Sequence, residues 1–148
     1  MTDISQIRAV RNNNPGNIRI GQPWQGLMPR LNMSRDQAAE TAFCVFVSPA
    51  MGFRALVKIL FTYYPILHSA GHYYCVESII ERWAPPSENN TAAYITHVSQ
   101  LTGYLPTQAL MPVGSFLRPL AKAISTHEVG QWAFQDADLD AGLNLAGL

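Results

Sequence analysis

The sequence predicts a mainly helical α+β fold in a single domain over residues 1–148, and three observations carry that prediction. Hydrophobic residues make up 48% of the chain and charged residues 14%, a balance that supports a packed core rather than disorder. Four stretches place apolar residues at helical spacing, each fenced by Pro, Gly or a capping residue. One short run near the N-terminus, Phe43 to Val47, has the β-prone composition of a strand.

Residues 11–26, rich in Asn, Gly and Pro, read as an ordered loop with short strand pieces. Ser48-Pro49 opens the first helix, because Ser can cap it and Pro is tolerated in its first turn. Phe53, Leu56, Val57, Leu60 and Tyr64 follow on one face, and Pro65 is expected to stop the run. Val76, Ile79, Ile80 and Trp83 form the face of a second helix, ended by Pro85-Pro86. Asn90 or Thr91 caps a third, with Tyr94, Val98 and Leu101 inward and Gly103 closing it. A proline-bearing loop leads to a fourth helix from about Ser115, whose inward face is Leu117, Leu120, Ala121 and Ile124. Beyond Trp132 the tail is small and acidic and is expected to pack loosely.

Composition excludes several functions. Ten basic and ten acidic residues cancel, whereas a nucleic-acid binder normally shows a basic surplus, so no nucleic-acid partner is expected. The charges are uneven: Arg8, Arg11, Arg19, Arg30 and Arg35 crowd the start, against Asp3 and Asp36. That is either a surface dipole or a weak attraction to an anionic polymer. The start lacks a positive segment followed by an apolar block, so synthesis in a host cytoplasm without a signal peptide is expected. Arg54 and Lys58 interrupt the most apolar region, residues 43–67, and argue against a membrane span. Cys44 and Cys75 read as buried thiols or as one disulfide.

No cofactor or metal is expected. There is no phosphate-cradling glycine motif and no nucleophile elbow. His68 and His72 straddle Gly71 without a third ligand. Asp136, Asp138 and Asp140 imitate the start of a calcium loop, but Ala141 and Gly147 stand where that loop needs a glycine and a glutamate.

One acid stands out. At about 100° per residue, Glu128 lies about 20° from Leu117 around the fourth helix, on its apolar face at the last turn. Partial desolvation and the negative end of the helix dipole both favour a neutral carboxyl, the form a general acid needs. A solvent-facing glutamate on a frayed helix end is the plain alternative. In the segment RNNNPGNIR, Asn13, Asn14 and Asn17 offer amides on a backbone held by turn chemistry, suited to hydroxyl and N-acetyl groups. Trp24 follows, as a sugar-stacking face or as core. RWAPPSENNTAAY places Trp83, Glu88, Asn89 and Tyr94 around a rigid corner between helices, which capping alone also explains.

RNNNPGNIR, WQG, FCVF followed by SPAMGFRAL, and RWAPPSENNTAAYITHV together resemble a family of bacteriophage virion and lysis proteins with a lysozyme-like fold. The resemblance spans Ile7 to Gly130, and the chain is more distantly similar to glucosaminidases and lytic transglycosylases. It implies cleavage of peptidoglycan glycan strands, in the periplasm or cell wall or as part of a virion alongside other virion proteins. In those relatives the helix ending in the catalytic glutamate precedes the asparagine loop. Here only ten residues precede the loop, and AISTHEVGQ near the other end is similar to the missing piece. A circular permutation is therefore expected, with neighbouring chain ends and Glu128 on a groove floor beside residues 13–17. The resemblance implies Glu128 as catalytic acid, with Glu40 next in line. Asn13, Asn14, Asn17 and Tyr94 would hold sugars, and Trp24 and Trp83 would shape the groove. A hydrolase needs a second carboxylate, from Glu40 or Glu88, whereas a lytic transglycosylase manages with one. A catalytically silent virion or wall-binding module with the same fold is the rival reading.

Overall fold

In the computed structural model, which describes residues 3–148, two single-turn helices, α1 (Arg8–Arg11) and α2 (Arg35–Ala38), occupy the N-terminal third. The core is built by α3 (Pro49–Ser69), α4 (Val76–Trp83), α5 (Thr91–Thr102), α6 (Leu117–Val129) and α7 (Asp136–Ala146). The Ser48 hydroxyl caps α3 by accepting from the Met51 N–H at 3.3 Å, and Pro49 sits in the first turn. Phe53, Leu56, Val57 and Leu60 point inward and are fully buried, as the spacing predicts.

Pro65 does not end this helix; α3 runs on to Ser69. The carbonyl that loses its partner belongs to Phe61, and both residues lie on the exposed side, where water can serve it. Leu67, buried one turn later, anchors the end in the core. By length and composition α3 is long and apolar enough to cross a membrane, despite Arg54 and Lys58. Here its inward face forms the centre of the core, packed by α6 and α7.

The tail corrects a second expectation. It forms α7, which lies along α3 with Leu139 fully buried. Gly142 permits the close approach: a Cβ there would meet the Phe53 Cβ at 2.6 Å and the Ala50 carbonyl at 2.9 Å. Phe134 stacks edge-on against Phe53 at 5.5 Å. Asp136 and Asp138 sit in the first turn, where the helix dipole favours them. Arg118–Asp140 at 2.7 Å and Lys122–Asp136 at 2.8 Å tie α6 to α7. Leu101, expected inward, is 45% exposed.

The expected β element reduces to two isolated bridges, Arg19 with Phe43 and Leu27 with Phe46; no strand occurs among the described residues. The run 43–47 is extended, but its N–H groups are divided among separate loop segments. Cys44 donates to Ile18, Phe46 to Asn12 and Val47 to Gly26, so no continuous ladder forms. Cys44 and Cys75 are both buried free thiols. The expected meeting of the chain ends involves Met1 and Thr2, which lie outside the described residues, but α1 does pack against α6.

Candidate functional site

The asparagine loop is built by its own amides. Asn14 is fully buried; its Nδ2 donates to the Ile18 and Cys44 carbonyls at 2.9 and 3.0 Å, and its Oδ1 accepts from the Ile18 N–H at 2.9 Å. Asn13 and Asn17 adopt left-handed backbone (φ 52° and 48°), a conformation asparagine tolerates better than most residues. Asn13 donates to the Phe46 carbonyl at 2.9 Å. Asn13 and Asn14 therefore hold the loop together, while Asn17 lines the open groove with its Oδ1 buried and without a hydrogen-bond partner among the described residues.

Glu40 belongs to this framework rather than to the groove. Its carboxylate, 1% exposed, accepts from Arg8 at 2.6 and 2.7 Å, Arg11 at 3.2 Å and Asn12 at 2.9 Å. The Ala42 and Phe43 N–H groups donate to it as well. These donors, Arg8 foremost, hold its pKa far below the ordinary carboxylate range. All its lone-pair directions face donors, and it does not line the groove. Glu40 is a structural anion here.

The groove measures about 700 Å³. Its walls come from residues 16–19 of the asparagine loop, Gln22, Trp24 and Phe43. Opposite runs one stripe of α3, Lys58, Thr62 and Ile66, with Ile59 and Tyr63 beside it. Arg82, Trp83, Glu88 and Asn89 close the end formed by α4 and the loop after it. Glu128, half-buried at the last turn of α6, lines it too. A smaller depression of about 280 Å³, bordered by Asn90, Ala93 and His127, shares Asn89 and Glu128 with the groove. Glu128 thus stands where the two concavities meet.

Tyr94 lies beneath this acid, only 2% exposed. Its hydroxyl donates to Glu128 Oε2 at 2.8 Å and accepts from the Trp83 Nε1–H at 3.0 Å. Tyr94 therefore orients the carboxyl, while its side chain also borders the smaller depression. Burial raises the Glu128 pKa; the Tyr94, Asn17 and Trp83 donors and the charge of Arg19 oppose that rise without cancelling it. The outcome is a carboxyl biased toward its neutral form and opening on a groove. His127 stacks on the Tyr94 ring, with centroids 3.6 Å apart. Its Nδ1 lies 2.8 Å from that of His97, so one ring donates and the other accepts. Burial, then the neighbouring His97, pushes His127 below its ordinary pKa.

Of the residues singled out from the sequence, Asn17, Trp24, Trp83, Glu88, Asn89 and Glu128 share the groove. Sequence reading missed the α3 stripe, although Lys58, Thr62 and Ile66 at intervals of four mark a second, more polar face on an otherwise apolar helix. It also missed His97, whose only signal is its place one turn beyond Tyr94. No group of three or more His, Cys, Asp or Glu side chains could hold a metal ion among the described residues.

The site defines a class first: a concave groove with one desolvated, hydrogen-bonded carboxyl. No family model matches the chain. The chain is similar to Protein P5 of Pseudoalteromonas phage PM2, with 37% identity over 114 residues. That match covers 74% of this chain and 64% of Protein P5, so the chain spans just under two thirds of that relative's length.

Proposed function

We propose that this protein cleaves the glycan strands of peptidoglycan, with Glu128 as the acid that protonates the leaving glycosidic oxygen. The observation that carries this reading is the half-buried Glu128 carboxyl, held by Tyr94 where two concavities meet, with burial raising its pKa. A carboxyl biased by burial toward its neutral form and open to a polymer-sized groove suits general-acid catalysis. Trp24 and Trp83 offer aromatic faces, and Asn17 and Asn89 offer amides, the usual complements of sugar rings and N-acetyl groups. The packing of α1 on α6 supports the permuted lysozyme-like arrangement, since it brings the start of the chain beside the acid helix. The likeness to a phage protein supports a phage setting, and the proposed action is during entry or lysis, in the periplasm or cell wall.

The reaction form follows from the carboxylates. Glu40 is enclosed by its donors, which leaves Glu88, an exposed residue on the rim, as the other acid lining the groove. With Glu128 the one desolvated carboxyl of the groove, the form proposed is the single-carboxylate chemistry of a lytic transglycosylase. Glu128 gives its proton to the glycosidic oxygen as the bond to the anomeric carbon breaks. The same carboxylate then accepts the proton of a hydroxyl on the same sugar, whose oxygen closes an anhydro ring. The expected products of purified peptidoglycan therefore carry anhydro ends by mass analysis; reducing ends would require a water-activating base and reassign the protein as a hydrolase.

Glu128→Gln keeps the shape of the side chain and removes its transferable proton. It is expected to fold, to retain wall binding and to lose about two or more orders of magnitude in cleavage. Because burial places the folded-state pKa above the unfolded value, wild-type stability falls as pH rises through that raised pKa. The Gln variant should therefore melt higher than wild type at neutral pH and lose that advantage in acid. Wild-type cleavage by a folded Glu128→Gln protein would sink the assignment. A wild type inert on every wall chemistry would favour the silent virion module instead.

A further inference from the structure

The chain is neutral overall, yet its groove is not. Of ten basic residues, four (Arg8, Arg11, Arg118 and Lys122) are in ion pairs among the described residues. Three of the remaining six, Arg19, Lys58 and Arg82, come from different elements and converge on the groove wall. Arg19 and Arg82 are exposed and rest on aromatic rings, Phe43 at 5.3 Å and Tyr63 at 5.4 Å. Each ring steadies a guanidinium without neutralising it. Against them the groove offers only Glu88 and the desolvated Glu128. Of the seven basic residues outside the groove, four are paired, as Arg8 and Arg11 are on Glu40.

We propose that Arg19, Lys58 and Arg82 select a glycan that carries carboxylates, reading the acidic groups of peptidoglycan stem peptides while the aromatic and amide walls read the sugars. This deepens the reading of the previous section and rests on it for the polymer's identity. A neutral N-acetylglucosamine polymer would satisfy the aromatic faces but leave three cations without partners. Selection is therefore by charge carried outside the sugar ring. Each cation, screened by water in an open groove, is expected to contribute about 2- to 5-fold in affinity, and all three about tenfold or more.

The test uses full-length Glu128→Gln protein as a non-cleaving probe. Its retention is measured on purified sacculi, on the same sacculi with carboxylates converted to amides, and on chitin. Retention on untreated sacculi should exceed the other two about tenfold and fall with added salt. Lys58→Gln and Arg82→Gln, placed on that background, should each weaken binding to untreated sacculi 2- to 5-fold and leave binding to amidated sacculi unchanged. Arg19 is left intact because its charge also reaches Glu128. Melting curves confirm folding of each variant. Equal retention on free and amidated sacculi, unaffected by either substitution, overturns the inference while leaving cleavage standing. Carboxylate-dependent retention by a protein whose wild type releases no product supports the inference and overturns the cleavage reading.

Discussion

Gly52 is where the asparagine loop meets the core, and Gly52→Ala tests that junction. A methyl built there would lie 2.2 Å from the Asn13 carbonyl oxygen and 2.6 Å from the Pro15 ring. Carbon-to-oxygen contacts normally stay beyond about 3.3 Å, so the loop must retreat by about 1 Å. Neither obstacle is a flexible side-chain end. Overpacking of this kind costs about 3 kcal/mol, against which alanine returns about 1 kcal/mol of helix propensity. The net loss of about 2 kcal/mol should lower Tm by about 4–8 °C in a domain of this size. Loop retreat also carries Asn17 away from Glu128, and about 1 Å of misplacement can cost about two orders of magnitude in rate. Thermal melts and peptidoglycan release measured on one preparation separate the two effects. Gly21→Ala is the control, since its methyl would meet nothing within 4 Å. A Gly52→Ala protein as stable as that control would refute the reasoning, because it would mean the loop is not seated on α3.

Three further outcomes follow from the same geometry. Tyr94→Phe keeps the ring stacked on His127 but deprives Glu128 of a donor and the Trp83 N–H of its acceptor; it should cost about 1–2 kcal/mol in denaturant melts. It also removes a group that favours the charged form of Glu128, so the alkaline limb of cleavage should move to higher pH, whereas a purely structural tyrosine would leave it in place. Glu40→Gln should cost about 3 kcal/mol, with activity falling only in step with stability. The Glu40 pKa is depressed on folding, so its contribution is present above the ordinary carboxylate range and lost as pH falls; the gap between wild type and variant should narrow in acid. Asn14→Ala, which orphans the Ile18 N–H and the Cys44 carbonyl and leaves the Ile18 carbonyl with Cys44 alone, should cost about 3 kcal/mol by urea melts, and a neutral result would show that water replaces the amide.

What was legible in the sequence was local. Asn90 caps α5 and Gly103 ends it with φ 78°, and Gly130 ends α6 with φ 92°; each signal works within one turn of its own residue. The helical phase that links Glu128 to Leu117 is equally local. Contacts across the chain were not legible. Nothing near Glu40 announces Arg8, 32 residues away, and without that partner the acid reads as a free carboxylate. Leu139, Gly142, Leu143 and Ala146 do recur at helical spacing, but a stripe so small looks feeble until Gly142 is seen to let α7 lie close against α3. Tyr94 has the composition of a sugar contact, and only packing reveals that its hydroxyl is committed inside the protein. The run 43–47 has the composition of a strand, but three loop segments share its backbone donors.

The chain from Trp83 through Tyr94 to Glu128 makes the indole an optical neighbour of the acid. An indole whose N–H is held by a phenol that donates in turn to a carboxyl feels every change in that carboxyl's charge. Trp83 also lines the groove, so an incoming polymer alters the polarity around the same ring. Trp132 rests against Lys122 and Phe53, away from both influences, and serves as an internal reference. The protein thereby carries its own fluorescent indicator of ligand occupancy and of the proton on Glu128, one that needs neither dye nor label.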